Sequence, residues 1–124
     1  MHGIENLYYA LGEMAYAIAK ADGIVQTEER KVIHEIVLEE IKQHDLDFDF
    51  AETIFMILEK DDSDADTSFK WAMQEFEENK LHLTPELVNK FIRVADRIAE
   101  AFDIPSDRED LLLARFKSAI RKLV

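Results

Sequence analysis

A chain of 124 residues suits one domain with a packed core, burying about two thirds of the surface that its unfolded form exposes. It has no cysteine, which removes disulfides, thiolate metal sites and cysteine nucleophiles, and no apolar run approaches the roughly 20 residues of a membrane span. Its 15 basic against 27 acidic residues leave a net charge of −12, which repels nucleic acid and anionic lipid and makes cations or basic proteins the natural partners.

The amino terminus runs straight into an amphipathic pattern that includes Glu5 and Glu13, without the basic start and apolar block of a signal peptide, so a cytoplasmic protein is expected. Apolar residues recur at helical spacing almost everywhere, and only three glycines and two prolines interrupt them. A first helix is predicted from about Ile4 to Ala21, with Ile4, Leu7, Leu11, Met14, Ala15 and Ile18 on its core stripe. A second starts near Thr27 and runs to about Gln43. Its Val32, Ile33, Ile36, Val37, Leu38 and Ile41 cover more than one face, which predicts a central and largely buried helix.

A polar link, His44-Asp45-Leu46-Asp47, precedes a third helix in which Asp49 and Glu52 have capping-box spacing ahead of Ile54, Ile57 and Leu58. The acidic run from Asp61 to Asp66 predicts an exposed loop that feeds a fourth helix, with Phe69, Ala72, Met73 and Phe76 inward and Trp71 off the stripe. Thr84-Pro85 marks the start of a long fifth helix bearing Phe91, Val94, Ala95 and Ile98. Ser106 and Glu109 box the start of the sixth, whose core side is Leu112, Leu113, Phe116, Ile120 and Leu123. The fold class is therefore all-α: a bundle of about six helices in one domain.

A shift of 80 residues maps Leu7 onto Leu87, Ala15 onto Ala95, Ile18-Ala19 onto Ile98-Ala99 and Ala21 onto Ala101. The two ends read as degenerate copies of one helix-turn-helix hairpin, packed against each other, with the third and fourth helices inserted between them. Chance sharing of helix-forming letters is the competing explanation.

In the first hairpin, Ala19 and Ala21 allow close helix approach and Asp22 accepts hydrogen bonds in a turn. Gly23 suits the left-handed residue that ends a helix, Val25 plugs the core, and Glu29 reaches back toward free N–H groups. The string A-x-A-D-G-x-V-x-x-x-E, from Ala19 to Glu29, resembles the signature of TerB-like domains, which include tellurite-resistance TerB proteins and the N-terminal domain of DjlA-type co-chaperones. The resemblance implies an all-helical bundle acting as a non-catalytic interaction module in bacterial stress or tellurite response, and it carries over to Ala21, Asp22, Gly23, Val25 and Glu29. The second copy departs from the pattern, with Phe102-Asp103 in place of Asp-Gly and Pro105 in place of the valine.

The same turn matches the second half of an EF-hand calcium loop, yet Ile18 and Lys20 stand where the first ligands belong. Capping is the preferred role for Asp22 and Glu29. Asp62, Asp64 and Asp66 alternate as a hard cation would require, but Thr67 and Met73 occupy the glycine and closing-glutamate positions, which favours a solvated loop capping the fourth helix. No cofactor is expected. A divalent-cation sensor working through these carboxylates is the alternative function.

His34-Glu35 lacks the second zinc-protease histidine, since Leu38 takes its place, and no glycine-rich phosphate loop or nucleophile elbow occurs. No catalytic residue is assigned, and the expectation is a non-enzyme with protein partners, no nucleic acid and no membrane insertion. Tyr9, Tyr16 and Trp71 are the candidate partner contacts, with bundle packing as their other explanation. Oligomeric state is left open.

Overall fold

The computed structural model describes residues 3–21, 25, 27–41, 45–101 and 107–124, with backbone alone at 29, 38, 41, 45–50, 52 and 107–109. The chain is all-α. Among the described residues six helices succeed one another: α1 (Gly3–Lys20), α2 (Thr27–Ile41), α3 (Asp45–Lys60), α4 (Ala65–Glu78), α5 (Pro85–Glu100) and α6 (Asp107–Arg121), with a 3-10 turn at Lys80–His82 between α4 and α5. No strand occurs among the described residues.

The centre of the bundle is α1 and not α2. Every residue from Tyr8 to Ala19 except Tyr9 is buried, on all sides of the helix. α3 and α4 flank it most closely, with α5 and α6 completing the enclosure. Small side chains explain the exchange of roles: Ala10, Gly12, Ala15, Ala17 and Ala19 let neighbours approach α1 from several directions. Gly12 marks the tightest crossing, since a Cβ there would run into the Ala51 carbonyl and the Ile54 side chain of α3. By contrast α2 buries Ile33, Ile36 and Val37 against α3 and α5, while Thr27, Glu28, Arg30, Lys31, Glu35 and Glu39 stay in water. The three buried residues fill one face, and the charged residues keep the others solvated, while the Leu38 and Ile41 side chains lie outside the described residues.

Aromatic rings tie the helices together. Tyr8 of α1 meets Phe91 of α5 edge-on at 5.4 Å, and Phe76 of α4 lies 5.8 Å from both Phe91 and Phe116 of α6. Tyr16 of α1 meets Phe55 of α3 at 5.6 Å. Such pairs add roughly 0.5–1.5 kcal/mol each beyond their buried area. On the surface Arg97 of α5 forks between Glu39 (2.6 Å) and Glu40 (3.3 Å) of α2.

Local capping follows the chemistry of the sequence. Thr84 Oγ1 accepts the Leu87 N–H at 3.2 Å, with Pro85 at the first helical position of α5. The third helix begins earlier than its capping box suggested: Asp45, Leu46 and Asp47, expected in the link, form its first turn. Aspartates are favoured in that turn, where the helix dipole presents its positive end. Ser106 lies outside the described residues, as do the Asp49, Glu52 and Glu109 side chains.

Candidate functional site

The motif turn is described only at its edges. Ala21 ends α1 with its N–H on the Ile18 carbonyl at 3.3 Å, and Val25 packs half-buried against the core. Asp22, Gly23 and the Glu29 side chain lie outside the described residues, as do Phe102, Asp103 and Pro105 of the second copy.

The acidic loop is fully legible. α3 ends in a Schellman motif in which the Ser63 N–H reaches the Leu58 carbonyl (3.0 Å) and the Asp62 N–H reaches the Glu59 carbonyl (3.1 Å). Asp62 takes the left-handed position with φ of 51°, a place that glycine fills at no steric cost and aspartate tolerates. Its Oδ1 accepts a hydrogen bond from Lys20 Nζ at 2.6 Å, so an ammonium group from α1 supplies the local positive charge. Asp64 caps α4, accepting the Thr67 N–H at 2.7 Å and the Thr67 hydroxyl at 2.8 Å, and these bonds hold its carboxyl below the usual range. Tyr16 donates its hydroxyl to the Ser63 carbonyl at 2.7 Å, and burial together with the nearby Asp62 pushes its phenol up to about 12. Asp62 and Asp64 are therefore already engaged by protein groups, the first by Lys20 of α1 and the second by Thr67 at the start of α4. Among the described residues no three His, Asp or Glu side chains gather into a group able to hold a metal ion.

A second cluster sits on the seam between α1 and α4. Glu13 is only 4% exposed, and its Oε1 has no hydrogen-bond partner. Burial, and then the neighbouring Glu75 of α4, push its carboxyl up to about 8. Glu75 is itself raised by burial and by Glu78, and Tyr9, one turn before Glu13, is raised by burial, Glu13 and Glu75. Two carboxyls and a phenol share a poorly hydrated seam, and Glu13 holds its proton at neutral pH because ionising it would leave an unbalanced buried charge. The sequence offered little sign of this: at helical spacing Glu13 reads as one more polar position, and only the enclosure of α1 from every side buries it.

The candidate partner aromatics divide. Tyr16 is 1% exposed and belongs to the core, so its burial removes it from the candidate contact surface. Tyr9 is half-buried. Trp71 is 46% exposed on α4, while Ala65, Phe69, Ala72 and Phe76 of the same helix point inward.

No family model, curated protein or solved structure matches the chain.

No helix among the described residues is long and apolar enough to cross a membrane. Between α2 and α3 the surface carries a hollow of about 470 Å³, and a second of about 250 Å³, lined by Arg30, Lys31, His34 and Glu35 of α2, shares Arg30 with it. Ile57, expected on the core side of the third helix, points outward beside Met56, at 45% and 58% exposure, because Ala51, Ile54, Phe55 and Leu58 already fill the inward face.

Proposed function

We propose that this chain is a non-catalytic, TerB-like interaction module of bacterial stress or tellurite response, working in the cytoplasm through protein partners. The supporting observation is Trp71. The inward side of α4 is already filled by core residues, yet a large amphipathic ring stands half in water on a rigid helix, and rings of that kind are the commonest anchors of protein interfaces. The A-x-A-D-G-x-V-x-x-x-E string and the all-helical bundle agree with this reading.

The test is capture of partners from a bacterial host carrying this chain, run with and without calcium and repeated with Trp71→Ala. Partners that are retained by the native chain and lost from the variant, at an unchanged melting temperature, support the module. Capture that appears only with calcium would favour the cation-sensor alternative, and no reproducible partner in either condition would remove the proposal.

A further inference from the structure

We propose that the groove between α2 and α3 is a second docking surface, and that its occupant is a short acidic amphipathic segment of a partner protein. The inference rests on the interaction-module reading but uses a face of the bundle different from that of Trp71. α3 shows two opposite stripes. Its inward residues join the core, whereas Thr53, Met56, Ile57 and Lys60, three and four apart, form a continuous outward row. Two large apolar side chains in water next to a hollow of about 470 Å³ are more than the bundle needs for its own packing. The opposite wall comes from α2 through Arg30, beyond which Lys31 and His34 line the second hollow along the same helix.

Charge selects the occupant. The chain carries −12 overall, yet among the described residues this groove and the hollow that adjoins it along α2 are bordered by three cations, Arg30, Lys31 and Lys60, against Glu35 and Glu59. Glu59 is already spent on Arg30, which it grips across the two helices. Lys31 and Lys60 have no ion-pair partner among the described residues, leaving Glu35 as the one uncommitted carboxylate on the rim. A densely charged polyanion such as nucleic acid or an anionic bilayer would meet the field of the whole chain, which extends beyond the groove. A short segment with two or three carboxylates meets only the local charges, because at physiological ionic strength fields fade within about 8 Å. Its apolar residues would cover Met56 and Ile57, and its carboxylates would pair with Lys31 and Lys60 and set its direction in the groove.

A random library of displayed peptides roughly 16 residues long, about four helical turns, is the probe. The native chain should enrich sequences with apolar residues three or four apart, flanked by carboxylates. Binding of the enriched peptides should fall at least about tenfold with Met56→Gln and Ile57→Gln combined. Lys31→Glu with Lys60→Glu should reverse the selection toward basic peptides, a change that loss of folding would not produce. All four positions are exposed, and unchanged circular dichroism and melting confirm intact variants. Failure to enrich any sequence, enrichment of peptides without carboxylates, or a selection unaltered by the charge reversal would overturn the proposal, as would binding of phosphatidylserine vesicles through these same residues. If Trp71→Ala abolishes partner capture while the groove variants leave it intact and select no acidic peptide, the groove is excluded and the module reading stands.

Discussion

Replacing Glu13 with glutamine should make this protein more stable at alkaline pH and leave it nearly unchanged under acid conditions. The folded-state value of about 8 lies well above the 4.5 of a free glutamate, so the unfolded chain gives up its proton first as pH rises. The sign follows from linkage: the contribution is fully present below about pH 4.5, declines between there and pH 8, and is lost above. Each pH unit of that gap corresponds to about 1.36 kcal/mol, which sets an upper bound near 5 kcal/mol. Part of this is recovered as an ionised Glu13 turns toward water, leaving roughly 2–4 kcal/mol for the folded seam. Glutamine keeps the shape and cannot ionise. Urea unfolding of native and Glu13→Gln chains at about pH 5, 7 and 9 provides the measurement, with ΔG taken from midpoints and slopes. The net charge of −12 also weakens the native protein as pH rises, but it does so in both chains and cancels in the difference. Parallel loss of stability in the two proteins across that range would refute the reasoning.

Gly12→Ala should destabilise the fold by about 1–3 kcal/mol in thermal unfolding, although alanine gains close to 1 kcal/mol of helix propensity over glycine, because the new Cβ would strike the backbone of α3. At the left-handed position of the α3 C-terminus, Asp62→Gly should be more stable than Asp62→Ala by roughly 1 kcal/mol in denaturant unfolding; both lose the Lys20 ion pair, so the comparison isolates backbone strain. Tyr16→Phe should cost about 1 kcal/mol, read from the same unfolding curves, by leaving the Ser63 carbonyl without its hydroxyl donor.

The pseudo-repeat illustrates what a one-dimensional pattern transmits. Ala15 and Ala95, and likewise Ile18 and Ile98, are buried as their shared spacing implies. Leu7 is enclosed while Leu87 is half-exposed, and Ala19 is enclosed while Ala99 is not. Equivalent letters face the core in both copies, but α1 has neighbours on every side and α5 does not. The candidate site was legible to a similar depth. Asp64 as a cap and Trp71 as an outlier from its stripe can be read locally, because each depends on residues within one turn. Tyr16 could not be separated from Tyr9, since burial of an aromatic depends on which other helix arrives.

From sequence alone came the all-helical class, the number of helices, the Thr84-Pro85 start and the acidic loop, all consequences of periodicity and capping over a few residues. The tertiary structure decided that α1 and not α2 is central, that Glu13 is sealed against Glu75, and that Met56 and Ile57 face water beside Arg30. Periodicity states how wide an apolar face is, whereas the size of the side chains at each crossing determines how many helices can gather around it.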